Sequence, residues 1–269
     1  MELFDGIVAK LNRADRLIDE LDTVNHQYLS ILTEFDAPDY WSRQVVRRVP
    51  NELAYDVTLT LPPVPLEIAA RLGEILHHLR SALDHLARIL VVESGNVPID
   101  GGPNSTTFPI LILPKAKGGE LDIRPGTTPE IRNLLLQLQP HEDLQDRGRI
   151  HPLVLLSELN NVDKHRLLNI VTLAGGGRVT FVRPPASTSV TSNDQRQYSI
   201  KLASGVKQRI HVHADDLLDE AQIAGGWVYF LSLEGESFPR QPNLSGLMRQ
   251  LHEHVLDEVV EPFARLIEK

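Results

Sequence analysis

Between Leu72 and Leu90 the chain sets side chains that move protons and bind anions among residues that are mostly leucine, isoleucine and alanine. His77, His78 and His85 carry imidazoles that titrate near neutral pH. Arg80 and Arg88 carry guanidiniums suited to phosphate or carboxylate, Asp84 a carboxylate and Ser81 a hydroxyl. A second concentration follows at Glu158-Leu-Asn160-Asn161-Val-Asp163-Lys164-His165-Arg166. Together these groups could run acid–base chemistry, stabilise negative charge on phosphorus, or hold an anionic ligand.

The apolar residues between them show what must position them. Leu76, Leu79, Leu83, Leu86 and Leu90 recur at three- and four-residue steps, which predicts a helix from about Pro65 to about Val92. Projected at about 100° per residue, Arg80, Asp84 and His77 share one sector, with Ser81 and His85 next to it and the leucines opposite. The second cluster lies between the apolar runs Leu153–Leu156 and Leu167–Val171, which predicts a buried helix from His151-Pro152 to about Leu173, stopped by Gly175-Gly176-Gly177. If these helices lie side by side, Arg80, Asp84 and His85 face Asn161, Asp163, Lys164 and His165. The plainer alternative is a salt-bridged helix in which Arg80 pairs with Asp84 at i,i+4 and the histidines cover a neighbouring loop.

Elsewhere the spacing predicts a long amphipathic helix over 2–33 and a β-hairpin at about 43–61 around Pro50-Asn51-Glu52. A long Gly/Pro-rich loop over 95–126 contains the apolar run Phe108–Leu113, and a short helix starts at Pro129. Strands are expected at 179–183, 187–191, 198–203, 208–213 and 227–233, the third and fourth joined through Ser204-Gly205, before a final helix over 246–268. The expected fold is α+β: a helical core of long antiparallel helices with a β-hairpin, and a segregated antiparallel sheet in the C-terminal half. The division expected is 1–174 as the mainly helical core and 175–269 as the β portion with a C-terminal helix returning to that core, or one domain throughout.

The formal charge of −9 disfavours a broad basic surface, so any RNA contact must be local. Without cysteine there is no thiolate zinc site and no disulfide, and the residues point to no cofactor. The N-terminus lacks the pattern of a signal peptide and no 18-residue apolar run occurs, which points to a cytoplasmic protein without a membrane partner. His211-Val-His213-Ala-Asp215-Asp216 places two imidazoles on one side of a strand, as metal ligands require, but Leu217 stands where the string of metallo-β-lactamase-type hydrolases has its last histidine. Polar positions on the wet face of a strand are the plainer account of it.

The strings Leu76–Leu86, Phe108-Pro109-Ile110, Leu138-Gln139-Pro140 and Leu159–Leu168 resemble those of an uncharacterised bacterial family that carries LHNLRSALDHL, FPI, LQP and LNNIDKHRLL in this order, with His78 here in place of Asn. In addition, Arg80-Ser-Ala-Leu-Asp-His85 is similar to the Arg-x4–6-His motif of HEPN ribonucleases, and Arg249-Gln-Leu-His-Glu-His254 offers the same spacing. That likeness implies a dimeric, toxin- or defence-related endoribonuclease working without metal, with RNA as substrate and an antitoxin or regulatory partner. His85 would transfer protons and Arg80 would stabilise the phosphorane charge, supported by Asp84, Lys164 and His165, with His77, Ser81, Asn161 and Asp163 binding substrate. Two other classes fit the same residues. One is a non-enzymatic binding or regulatory protein that captures an anionic ligand at the Arg/His/Asp cluster; the other is a metal-dependent hydrolase using His77, Asp84, Asp163 and His165.

Overall fold

A computed structural model describes residues 3–34, 41–49, 52–59, 61–99, 106–111, 127–140, 150–180, 197–203, 207–213, 228–233 and 243–268. In chain order these form α1 (Asp5–Glu34), β1 (Trp41–Val49), β2 (Glu52–Leu59), α2 (Leu66–Glu93), α3 (Pro129–Gln137), α4 (Pro152–His165), β3 (Ile170–Thr180), β4 (Gln197–Ala203), β5 (Lys207–His213), β6 (Val228–Leu233), α5 (Leu244–Glu253), a π-helical stretch (His254–Val260) and α6 (Glu261–Ile267). The fold is α+β. Its two compact units are interleaved along the chain: one comprises Met1–Thr23, Leu66–Asn169 and Gly235–Lys269, the other Val24–Pro65 and Ile170–Glu234. The N-terminal hairpin belongs with the later strands because β5 pairs with β2, so the sheets are not confined to the C-terminal half.

The first unit is helical, and α2 is its centre. Leu76, Leu79, Leu83, Leu86 and Leu90 are wholly buried, and so are Leu72, Ile75, Ala82 and Ala87 on other sides of the helix. A helix apolar on several sides must be surrounded, and α2 is packed by α4, α5 and the π-helical stretch. It also runs antiparallel to the N-terminal part of α1 in a seven-residue register. Gly6 lies at His85, Arg13 near His78, and Glu20 bonds Arg71. The apolar seam of α1 consists of Ile7, Leu11, Ala14, Leu17, Ile18 and Leu21. On another side of α1, Arg249 of α5 holds Asp15 at 2.9 Å and Asp19 at 2.6 Å, while His252 bonds the Leu11 carbonyl at 3.1 Å.

Local chemistry sets the helix ends. Thr128 caps α3 by accepting the Ile131 N–H, His151 caps α4 by accepting Leu153 N–H on Nδ1, and in both a proline opens the first turn. Gly95 closes α2 at φ 77°, a left-handed conformation that favours glycine. In α5 and beyond, Leu247, Leu251, Val255, Val259 and Phe263 are all buried. The helix widens over His254–Val260, just before Pro262, which has no N–H to donate and would clash with the carbonyl four residues back.

The second unit has two three-stranded antiparallel sheets, ordered β1-β2-β5 and β4-β3-β6. The hairpin expected at 43–61 is present as β1 paired with β2, Val49 opposite Glu52. Two expectations are corrected. The helix after Pro152 stops at His165, with Arg166 extended, instead of reaching Leu173. Ile170-Val171-Thr172 are β-branched and pair with β6 instead, and the triple glycine lies inside β3, where the register against β4 shifts between Ala174 and Gly177. Nor do the strands flanking Ser204-Gly205 form a hairpin: β4 pairs with β3, and β5 with β2. Near β3, the Tyr28 hydroxyl donates to the Pro62 carbonyl at 2.8 Å and meets the buried Thr172 hydroxyl at 3.0 Å. The strand expected at 187–191 lies outside the described residues.

At Gly73, α2 leaves room for α4, because a methyl group there would collide with both carboxylate oxygens of Asp163. Gly73→Ala carries a penalty, displacement of the Asp163 carboxylate, which in chemical denaturation is expected to offset the gain of about 1 kcal/mol that alanine has over glycine inside a helix. Adding Asp163→Ala should remove most of that penalty, and a double variant as unstable as the sum of the singles would disprove the contact.

Candidate functional site

The sequence placed Arg80, Asp84 and His85 opposite Asn161, Asp163, Lys164 and His165; the structure separates them. Asp163 sits against Gly73, and along a helix rising about 1.5 Å per residue Arg80 is some ~10 Å and Asp84 some ~16 Å further on. Arg80 is instead turned to the loop segment at Phe108. Its guanidinium donates to the Phe108 carbonyl at 2.9 Å and pairs with Asp84 at 3.1 Å, while Asp84 accepts the Phe108 N–H at 2.8 Å. The i,i+4 pair of the plainer sequence reading is therefore present, with a backbone peptide captured between its members. The Phe108 ring is buried.

Gln139, itself 2% exposed, completes the hold on this segment. Its Oε1 accepts Leu111 N–H at 2.7 Å and its Nε2 donates to the Pro109 and Leu135 carbonyls at 3.2 and 3.0 Å. Three of the four strings singled out in the sequence, those around Arg80, Phe108 and Gln139, thus meet as one hydrogen-bonded unit. The fourth meets α2 through Asp163 and Gly73.

The remaining sequence candidates disperse. His85 is exposed and its Nδ1 lies against Gly6, 2.9 Å from where a β-carbon would stand. Ser81 is half-buried, and Asn161, Lys164 and His165 are exposed at the C-terminal end of α4, whereas Asn160 is buried. His211 and His213 take register positions opposite Ala54 and Glu52, and Asp215 and Asp216 lie outside the described residues. Among the described residues no three His, Cys, Asp or Glu side chains gather as a metal ion would require. No helix of the described residues is long and apolar enough to cross a membrane.

What the structure does assemble lies two turns earlier on α2. His77 is exposed and within electrostatic reach of Asp163. Burial raises the Asp163 carboxyl above its ordinary value, and His77 opposes that shift. The His77 and His78 rings meet edge to face at 5.8 Å. His78 is half-buried, and its Nδ1 is enclosed without a hydrogen-bond partner. Burial pushes its pKa down, and Lys10, His77 and Arg13 push the same way, against Glu74. Lys10 and Arg13 were missed in the sequence because they belong to an ordinary amphipathic helix; only the seven-residue register of α1 against α2 brings them here. A second enclosed imidazole, His254, stands edge to face with His151 at 5.4 Å, and its pKa is also lowered by burial, with Glu258 opposing.

Comparison with known proteins adds no relative: no protein-family model, no curated protein and no solved structure matches the chain.

Two outcomes follow. Asp84→Ala strips Phe108 N–H and Arg80 of a partner and is expected to cost about 1–3 kcal/mol of stability by denaturant titration, with Arg80→Ala far less than additive on that background. His78 and His254 bind protons less readily folded than unfolded, so over the window from their lowered values up to about pH 6.5 the unfolded chain holds more protons and stability rises with pH. Thermal melts should therefore fall as pH drops below about 6.5, and the fall should be shallower in His78→Gln/His254→Gln; an unchanged slope would refute the assignment.

Proposed function

We propose that the helical unit is a binding module that captures an anionic group on the polar side of α2, at His77 and His78, with Lys10 and Arg13 of α1 beside them. The observation that carries this reading is the Nδ1 of His78, which has no hydrogen-bond partner, in a ring that meets His77 edge to face and feels the charges of Lys10 and Arg13. A polar nitrogen left in that state costs about 1–3 kcal/mol, and an anionic oxygen would satisfy it. Of the functions open to the sequence, this is the capture of an anionic ligand by the α2 cluster, moved toward the N-terminal end of the helix because Arg80 and Asp84 are engaged with Phe108.

A second reading is a HEPN-like, metal-independent endoribonuclease acting as a dimer on RNA. It is supported by the position of Arg80 and His85 on the central helix of the helical unit and by the exposure of His85. It requires Arg80 to release the Phe108 carbonyl. Metal-dependent hydrolysis is the least supported, since Asp84 and Asp163 engage different parts of α2's surroundings.

Equilibrium dialysis with sulfate tests the first reading: the chain should bind it, and Lys10→Gln/Arg13→Gln should weaken binding at least about tenfold, the loss expected for a charge-assisted hydrogen bond. Incubation with RNA in EDTA tests the second. No cleavage is expected, and cleavage lost in Arg80→Ala and His85→Ala but kept in His78→Gln would overturn the order of the two readings.

A further inference from the structure

The helix α4 begins at a histidine. His151 caps it, Nδ1 accepting Leu153 N–H at 3.2 Å while the His151 carbonyl accepts Leu155 N–H at 3.0 Å. Serine, threonine, asparagine or aspartate usually fills this place, and their oxygens go on accepting throughout the range in which imidazole takes up a proton. An imidazole nitrogen accepts only while it carries no proton, so His151 stands as the Nε2–H tautomer. Leu153 is wholly buried, and water cannot take over its N–H while the turn stays in place. The cap also has a neighbour. His254, from the π-helical stretch, meets the His151 ring edge to face at 5.4 Å, and its Nε2 is enclosed with no hydrogen-bond partner. A proton added there would be a charged N–H with no acceptor. Burial lowers the His254 pKa, and Glu258, one turn on, opposes that shift. The first turn of α4 brings no charge of its own, its residues being Pro152, Leu153, Val154 and Leu155. Of the neighbouring helices, α2 has Arg80 and Asp84 engaged with Phe108, and α5 has Arg249 and His252 engaged with α1.

We infer that His151 is an acid-released latch on the first turn of α4, set by the bond from Leu153 and by the second imidazole beside it. Protonation of Nδ1 turns the acceptor into a donor that faces the Leu153 N–H. It also puts a cation at the positive end of a helix and against the ring of His254. The ring must then swing out, and the turn Pro152–Leu155 loses its cap. The capped turn has no place for the proton and the open turn has one, so acid favours opening once the pH falls below about 6.5, the ordinary imidazole value. A drop to pH 5.5 favours the open turn about tenfold. No ligand takes part, so the latch and anion capture at α2 stand or fall separately.

The test is amide hydrogen exchange of the whole chain, followed by NMR at pH 7.5 and pH 5.5. Protection at Leu153 and Leu155 is read against protection at Leu83, which is wholly buried in the middle of α2, so that a general loss of stability in acid cancels. In the natural sequence that ratio is expected to fall about tenfold on acidification. It should stay constant in His151→Asn, whose amide oxygen caps a helix without titrating. The ring nitrogen resonances of His151 give a second reading that needs no variant, with Nδ1 unprotonated at pH 7.5. A protonated Nδ1 at that pH would overturn the cap, and a ratio unchanged by pH in the natural sequence would overturn the latch. An equal fall in His151→Asn would assign the opening to another group and overturn the role of His151.

Discussion

The constraint on which the helical unit depends is that its central helix is buried over most of its circumference, with one exposed stripe along Glu67, Ala70, Glu74, His77, His85 and Arg88. α2 buries fourteen of its residues, each large aliphatic one gaining roughly 1.5–3 kcal/mol over exposure. The polar residues at the borders of that stripe, Arg71, His78, Arg80 and Asp84, are half-buried and meet the neighbours of the helix. Arg80 and Asp84 reach the Phe108 peptide, His78 reaches α1, and His77 stands over the place where Asp163 presses on Gly73. The density of polar groups that makes this segment look like one site is the sum of several separate seams.

The Phe108 seam joins three segments that are distant in sequence. A guanidinium and a carboxylate one turn apart take the carbonyl and N–H of the same residue, and the Gln139 side chain takes groups at Pro109 and Leu111. These side chains do for the segment what a neighbouring strand would do, and Pro109 lacks the N–H a strand would have used. Segments separated by tens of residues are therefore coupled here because each completes the hydrogen bonds of the others, a requirement of folding before it is one of chemistry.

Much of the helical scaffold was legible because periodicity alone defines it: the leucine stripe of α2, the long α1 and the proline-opened α3 follow from spacing and caps. The second cluster was misplaced because apolar Leu167 and Leu168 continue the look of a helix, whereas β-branched Ile170, Val171 and Thr172 find ladder partners in β6. The partnership of β2 with β5, across some 150 residues of chain, leaves no local mark. The residues of the candidate site divide in the same way. His77, His78 and Asp163 stood out by type, but Lys10 and Arg13 become visible only once two helices are set in register, and Gly73 only once a carboxylate is found resting on it.

The widened stretch at His254–Val260 has one more effect. Leu247, Leu251, Val255, Val259 and Phe263 recur at a strict interval of four. On a regular α-helix such a row overshoots by about 40° at every step and would wind away from its neighbours within a few turns. Turns that close one residue later absorb that overshoot, so the row stays aligned with the interior on both sides of Pro262. The irregularity works as a phase corrector: it lets one continuous rod keep a single apolar edge over a length that uniform coiling could not follow.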